Sequence, residues 1–240
     1  MRHMKMRNAW MGWSALILAI FCMSGFGMNR LVSVMVSSRP VLPNHTVVID
    51  AGHGGEDGGA ISCTGIAESQ INLEISIRLQ DLMNLLGYRT VMIRTGDYSV
   101  YTQGQSLSQK KVSDLKTRVQ MVKETQNPLL VSIHQNYFSE SRYCGAQVFY
   151  GKSSGSRTLA AQMQEVFVTA LNPGSNRAEK AAQNIYLLES VDCNAVLVEC
   201  GFLSNPVEER NLQDGTYQKK ISCIIATSVC NFLSTSPTLA

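Results

Sequence analysis

Four ionisable side chains in this sequence stand where they can do chemistry together. His53, His134 and Glu199 lie at or just beyond the ends of short apolar runs, and Glu68 begins a helical pattern. Two histidines and a carboxylate are a common set of zinc ligands that leaves one coordination position for water, and a further carboxylate can act on that water. The combination predicts metal-assisted hydrolysis of an amide without a protein nucleophile.

The glycine-rich stretch around His53 is the centre of this arrangement. The residues Val47–Ile49 are typical of a short buried strand, and the glycines that follow permit positive φ and close backbone approach. Such a turn leaves His53 at the carboxyl end of the strand. A histidine that only hydrogen-bonds the backbone is the alternative for this residue taken alone. The nearby acids Glu56 and Asp57 are interpreted as solvated loop residues.

The other three residues also have structural interpretations. Glu68 suits the first turn of a helix through its interaction with the helix dipole. His134 suits a core position, although its equivalence to His53 at a strand end favours a ligand. Glu199 ends an apolar strand, where an unpaired carboxylate is costly to bury, so a structural role for it requires a cationic partner.

The elements that must position these residues alternate between strand and helix patterns. Strands are predicted at 47–49, 88–94, 129–134, 145–150, 185–188 and 195–199, helices at 68–86, 114–125, 156–171 and 214–233, and an exposed loop at 95–113. Alternation of this kind indicates an α/β fold with a mainly parallel twisted sheet and helices on both faces. Because ligands gather at the carboxyl ends of parallel strands, the four ionisable groups are expected to converge there.

Composition and charge narrow the function classes. The chain has 240 residues and is 45% hydrophobic, which suits one domain with a full core once the N-terminal segment is set aside. The first forty residues hold five basic residues and no acid, which leaves 16 basic and 18 acidic residues, a net charge of −2, in the remainder. That near balance argues against a nucleic-acid partner. The seven cysteines form no CxxC pair, which argues against a cysteine-rich zinc site and leaves their redox state open.

Residues 1–40 are predicted to be an export segment with a short linker, and residues 41–240 the catalytic domain. Basic residues precede an uncharged run from Asn8 to Asn29, whose length suits a secretory signal or a membrane anchor. Gly25-Phe26-Gly27 is a weak candidate cleavage site, so both possibilities remain open. The chain is expected to be exported and to contact a membrane only through this segment.

Several motifs resemble the zinc-dependent N-acetylmuramoyl-L-alanine amidases of type 3. They are Asp50-Ala51-Gly52-His53-Gly54-Gly55, Glu68, Ser132-Ile133-His134-Gln135-Asn136 and Val198-Glu199-Cys200-Gly201-Phe202-Leu203-Ser204-Asn205. A second set more narrowly resembles the CwlD-type germination amidases of spore formers: Lys110-Lys111, Asp114-Leu115, Arg118-Val119, Gly145-Ala146-Gln147 and Asn184-Ile185-Tyr186-Leu187-Leu188. The likeness runs from about Thr46 to Leu233.

The resemblance implies roles for individual residues. His53, Glu68 and His134 would bind one zinc ion, and Glu199 would be the catalytic acid and base. The substrate would be peptidoglycan, cut between the lactyl group of N-acetylmuramic acid and the L-alanine of the stem peptide. The CwlD likeness implies action at the forespore, in the spore cortex, as a step toward the muramic-δ-lactam needed for germination.

Two further residues match family positions and are candidates for substrate binding. Asn136 would touch the substrate or orient the loop after His134. Arg177 would touch the substrate or only form surface ion pairs. The departures from the family pattern are small: Ala51 replaces the usual proline, Ser69 replaces a common lysine, and Cys200 follows the catalytic glutamate.

The stretch 152–184 is too short for the helix that blocks the zinc in some cell-division amidases of this family. Control is therefore expected from the timing of expression or from an accessory protein that localises or activates the enzyme. Two alternative functions remain. One is a zinc deacetylase or peptidase acting on another cell-wall amide, and the other is a non-catalytic wall-binding protein, which would have no use for Glu199.

Overall fold

The computed structural model describes residues 45–235, so the predicted export segment lies outside the described residues. The strands of this part are β1 (Thr46–Ala51), β2 (Arg89–Met92), β3 (Pro128–Asn136), β4 (Gln147–Tyr150), β5 (Lys180–Ala181) and β6 (Asn194–Phe202). The helices are α1 (Glu68–Leu85), α2 (Leu107–Glu124), α3 (Ser154–Ala170), α4 (Tyr186–Ser190), α5 (Pro206–Gln213) and α6 (Gly215–Thr235). Among these helices, none has the length and apolar character needed to span a membrane.

The strands form one sheet in the order β2-β1-β3-β6-β4-β5. The first four strands of that order run parallel, whereas β4 pairs antiparallel with β6, and β5 runs parallel to β4. The predicted α/β fold with a mainly parallel sheet is confirmed. Strands β1, β3 and β6 are central and almost entirely buried, as expected for parallel strands that are covered on both faces. Their carboxyl ends therefore meet at one edge.

Helices cover both faces of the sheet because side chains alternate along each strand. Val47 and Ile49 pack with α1, α3 and α6 in one core cluster, whereas Val48 packs with α2 and α4 in the other. The same alternation holds along β3 and β6. The core therefore lies in two layers, and the sheet edge between them positions the site.

The predicted loop at 95–113 is wrong in its second half, because α2 begins at Leu107. Ser106 and Gln109 form a capping box: the Ser106 hydroxyl accepts from the Gln109 backbone, and the Gln109 side chain accepts from the Ser106 backbone, each at 3.3 Å. This pairing satisfies two backbone donors at the start of the helix. The S-x-x-Q spacing could have predicted the start of this helix, but the polar composition of the segment favoured a loop.

Two other local predictions differ from the structure. The predicted strand at 185–188 is the helix α4, while the short strand β5 lies a few residues earlier. Leu187 and Leu188 are buried, and a short apolar run cannot distinguish a strand from a buried helical turn. Helix α5 was not predicted, although Asn205 caps it by accepting from the backbone of Val207 and Glu208.

Candidate active site

The glycine-rich turn after β1 places His53 over the sheet edge. The backbone of Gly52 still donates to the carbonyl of Ile133 at 3.0 Å, and the chain then leaves the sheet. His53 itself adopts φ +61°, in the left-handed region that side chains other than glycine rarely occupy. Gly54 and Gly55 continue the turn with positive φ. The turn leaves the imidazole half-buried at the carboxyl end of the strand.

His53, Glu68 and His134 come together as predicted. Their candidate ligand atoms all lie within 4.8 Å of one another. Nε2 of His53 is 3.4 Å from Oε2 of Glu68, and Nδ1 of His134 is 3.0 Å from Oε1 of Glu68. Zinc bonds of about 2.0–2.2 Å in a tetrahedral arrangement require ligand atoms roughly 3.3 Å apart. The nitrogen, oxygen and nitrogen donors therefore suit one zinc ion.

Glu68 is held rigidly at the start of α1 and is 3% exposed. Its Oε1 accepts from the side chain of Asn72 and the backbone of Gln135, both at 3.1 Å, and its Oε2 accepts from the backbone of Ala60 at 3.0 Å. Burial acts to raise the pKa of Glu68, but hydrogen bonds from His134 and His53 bring that pKa well below its usual range. The site therefore holds a fixed negative charge, which suits a cation.

The pKa of His53 shifts in the opposite direction from that of Glu68. Burial acts to lower its pKa, but hydrogen bonds to Asp57 and Glu68 raise that pKa to about 9. Asp57 is not the solvated loop residue expected from the sequence, because its Oδ2 lies 3.0 Å from Nδ1 of His53. Glu56, in contrast, is 55% exposed, as expected.

Glu199 lies directly beside the cluster, because it pairs in register with His134 between β3 and β6. Its Oε2 is buried and has no hydrogen-bond partner, and no ion pair within residues 45–235 includes it. The cationic partner that a structural role requires is therefore missing from the described part of the chain. Burial raises the pKa of Glu199 to about 7. A carboxyl group with a raised pKa in a cleft is typical of a catalytic acid or base.

A cavity of about 400 Å³ opens above these residues on the side of the sheet covered by α2 and α4. His53, His134 and Glu199 form its floor. Lys111 of α2 lies on one wall, and the residues 184–187 that lead into α4 form the other. Of the segments that carried the narrower sequence resemblance, those of α2 and of residues 184–187 line this cleft, whereas residues 145–147 are not among its lining residues.

Two buried arginines hold the backbone beneath this floor. Arg94 is fully buried and donates to the carbonyls of Ala51, Gly52 and Ser69 at 2.7, 3.0 and 2.7 Å. It follows a strand, as the other site residues do, but its role was not predicted from the sequence. Its position at the end of that strand could have identified it as a site residue.

Arg118 of α2 completes the support from the opposite side. It donates to the carbonyls of Ala51 and His53 at 3.0 and 2.8 Å and pairs with Asp50 at 2.5 Å. A buried carbonyl without a hydrogen-bond donor destabilises the folded chain. Because the chain leaves the sheet at this turn, these carbonyl oxygens need donors from outside the sheet. The guanidinium groups therefore stabilise the backbone conformation that presents His53.

The family model described as N-acetylmuramoyl-L-alanine amidase (Amidase_3) matches residues 47–231. The chain belongs to this amidase family. The resemblance inferred from the motifs is confirmed, and the protein is an amide hydrolase by family.

The relatives of this amidase include a germination-specific amidase. It is 31% identical over 195 residues to the germination-specific N-acetylmuramoyl-L-alanine amidase of Bacillus subtilis (strain 168), covering 80% of this chain and 81% of that one. The structure of the CwlD amidase from Clostridioides difficile in complex with the GerS lipoprotein superposes with a TM-score of 0.77 at 37% identity, covering 80% of this chain and 99% of that one. A second amidase, from Clostridium difficile 630, has a TM-score of 0.70 at 28% identity, with 80% and 98% coverage.

The two candidate substrate residues of the amidase lie near the same sheet edge. Asn136 is the last residue of β3, and its carbonyl accepts from the backbone of Leu203 at 2.8 Å. Arg177 donates to the carbonyl of Cys144 at 3.1 Å and to the side chain of Gln147 at 3.3 Å. Within the described residues Arg177 forms no ion pair with a carboxylate within 4.0 Å, although burial raises the pKa of Glu208 and the charge of Arg177 acts to lower it.

A side chain at Gly52 of the amidase would collide with His134. A Cβ added there would lie 2.2 Å from Nε2 of His134, so Gly52→Ala must displace the imidazole. We expect zinc affinity to fall about 10- to 100-fold, the range seen when the setting of a metal ligand is disturbed. The measurement is titration of the purified chain with zinc in the presence of a competing chelator.

The matched control is Gly58→Ala. A Cβ at Gly58 would meet the side chains of Ala67 at 3.4 Å and Ile61 at 4.0 Å, both ordinary contacts. This variant is expected to bind zinc as the wild type does. Equal zinc affinity in Gly52→Ala and the wild type would show that His134 is not held by its contact with the turn.

Proposed function

We propose that this amidase is a zinc-dependent hydrolase that cuts peptidoglycan between the lactyl group of N-acetylmuramic acid and L-alanine. The observation that carries the proposal is the convergence of His53, Glu68 and His134, within 4.8 Å, beside the buried and unpartnered carboxylate of Glu199. The proposed position of the cut is supported by the names of the relatives, which are N-acetylmuramoyl-L-alanine amidases.

The proposed reaction uses a bound zinc ion and the carboxylate of Glu199. His53, Glu68 and His134 would hold one zinc ion, which when bound polarises a carbonyl and lowers the pKa of water to about 7. Glu199 takes the proton of the attacking water and passes it to the leaving nitrogen. Because burial raises its pKa to about 7, Glu199 can both accept and donate a proton near neutral pH.

Substrate contacts are proposed where β3 and β6 end, because Asn136 pairs in register with Phe202. Arg177 packs over the ring of Phe202, three residues beyond Glu199 in β6, with 5.2 Å between guanidinium and ring centre. A cation fixed there suits a carboxylate of the stem peptide. Asn136, at the end of the strand that carries His134, is proposed to bind the substrate through its amide.

The biological setting is proposed from the named relatives. The Bacillus subtilis relative is named as germination-specific, which supports action on spore cortex peptidoglycan, as a step toward muramic-δ-lactam. Action outside the cytoplasm follows from that substrate. We propose residues 1–40 as the export segment and residues 41–240 as the catalytic domain.

An accessory protein is proposed to localise or activate the enzyme. The CwlD amidase was solved in complex with the GerS lipoprotein, which supports a partner of this kind. Between residues 152 and 184 the chain forms α3, which packs on the sheet face away from the cleft, and the two-residue strand β5. This arrangement favours control by a partner over a built-in blocking helix.

The test is mass spectrometry of products released from purified peptidoglycan by the full chain, with zinc added and with zinc chelated. We expect free stem peptides that begin at L-alanine, released only when zinc is present. Acetate as the product would favour a deacetylase, and a stem shortened internally would favour a peptidase. Zinc binding and wall binding without any released product would favour the non-catalytic alternative.

A further inference from the structure

The side of His53 that faces away from the cluster is held by two further charged residues. Oδ2 of Asp57 lies 3.0 Å from Nδ1 of His53, and Nζ of Lys111 lies 2.8 Å from Oδ1 of Asp57. Asp57 is half-buried, whereas Lys111 is 47% exposed on α2. A continuous chain of polar contacts therefore connects the surface of α2 to a proposed zinc ligand.

We propose that Asp57 and Lys111 are positioning residues for the metal site. Asp57 fixes the His53 imidazole with its proton on Nδ1 and its lone pair on Nε2, toward Glu68, and Lys111 holds Asp57 in the orientation that does this. The inference rests on the proposed zinc-dependent function and names two residues that determine how tightly the metal is held.

The ring of His53 needs such a partner because its own turn restrains it poorly. The turn is built largely from glycines, and the imidazole is half-buried. Rotation about the Cβ–Cγ bond has two broad minima that exchange the positions of the ring nitrogens and carbons. A carboxylate on Nδ1 selects one ring orientation and one tautomer, and an outer partner of this kind is typical of histidines that bind metals.

Asp57 is itself well placed for this role. Its backbone and that of Gly54 exchange two hydrogen bonds, at 2.8 and 3.2 Å, which close the turn. The backbone of Gly59 donates to Oδ1 at 3.3 Å. One carboxylate oxygen therefore faces His53, while the other faces Lys111 and the backbone. Loss of Lys111 would free the side chain to rotate away from the imidazole.

A second pair supplies an internal comparison. Lys110, the neighbour of Lys111, donates to Glu56, the neighbour of Asp57, at 2.7 and 2.9 Å. Glu56 also accepts from the hydroxyl of Tyr101 at 3.3 Å and has no contact with a candidate ligand. Both pairs connect α2 to the same turn, but only the pair of Asp57 and Lys111 reaches His53.

The experiment measures the zinc dissociation constant of the full chain by competition with a chelator, without substrate. We expect Asp57→Asn to weaken zinc binding about 10- to 100-fold, because an amide either donates to Nδ1 and selects the wrong tautomer or accepts from it more weakly. Lys111→Met is expected to weaken binding by a smaller factor, about 3- to 10-fold. Lys110→Met should bind zinc as the wild type does.

The double variant Asp57→Asn with Lys111→Met tests whether the lysine acts through the aspartate. If it does, the double variant binds zinc no more weakly than Asp57→Asn alone, because the effect of Lys111 has already been removed. The melting temperature of each metal-free variant should stay within about 4 °C of the wild type, since partly exposed ion pairs contribute little to stability.

Several results would overturn the inference. One is a zinc affinity of Asp57→Asn that equals that of the wild type. Another is a loss of zinc affinity that is the same in Lys110→Met as in Lys111→Met. A metal-free melting temperature that falls in parallel with zinc affinity would show that the residues only fold the turn. A wild-type chain that bound no zinc would instead overturn the proposed function, and this inference with it.

Discussion

Replacing Glu199 by glutamine is expected to lower the rate of stem-peptide release by about 10²- to 10⁴-fold, the contribution of a positioned acid and base. Glutamine has nearly the same shape but cannot accept the proton of water or return one to the leaving nitrogen. Zinc content should be unchanged, because Glu199 is not among the three clustered ligands. The measurement is the initial rate with purified peptidoglycan, together with zinc per chain.

The loss should not arise from unfolding. Burial raises the pKa of Glu199 from 4.5 to about 7 in the metal-free protein. Between those values the folded chain holds a proton that the unfolded chain releases, so stability falls as the pH rises through this window. Glutamine does not ionise, and metal-free Glu199→Gln is therefore expected to be at least as stable as the wild type at pH 8.

The matched control for this substitution is Glu56→Gln. It makes the same chemical change near the cleft, at an exposed residue that bonds only Lys110 and Tyr101. Its activity should equal that of the wild type. Full hydrolytic activity in Glu199→Gln would mean that another group transfers the proton and would remove the proposed mechanism.

Replacing His134 by alanine is expected to weaken zinc binding by more than about 100-fold, because loss of a ligand costs more than loss of an outer partner. Activity should fall with it and should not return when zinc is added at concentrations that restore the chelator-treated wild type. His134 lies against Gly52, and its Nδ1 is 3.0 Å from Oε1 of Glu68, so its loss removes a donor from within the cluster. Competition titration and metal analysis check the result.

His45→Ala is the control for the loss of an imidazole. His45 lies directly before β1, at the opposite end of the strand from the turn, and its ring nitrogen is 3.3 Å from the carbonyl of Asn127. Its removal should leave zinc content and rate unchanged. If His134→Ala retained wild-type zinc affinity, the assignment of the metal site would be wrong.

Local patterns in the sequence were sufficient for the elements that carry the site. Continuous apolar runs predicted the strands β1, β3 and β6, because a strand that is buried on both faces is apolar throughout. A periodic apolar face predicted α1, because that helix is buried on one face. Shorter elements failed: α4 and α5 span 5 and 8 residues, too few for a period to be distinct. The start of α2 was missed because a capping box depends on two side chains and not on hydrophobicity.

What the sequence by itself determined was which residues stand at the carboxyl ends of strands, and therefore that His53, His134 and Glu199 would meet at one sheet edge. Only the tertiary structure decided how they are held. Arg94 reaches the carbonyl of Gly52 across 42 positions, and Glu68 reaches the ring of His134 across 66. Hydrogen bonds between such distant residues leave no local period in a sequence, because they depend on how the elements pack and not on what each element buries.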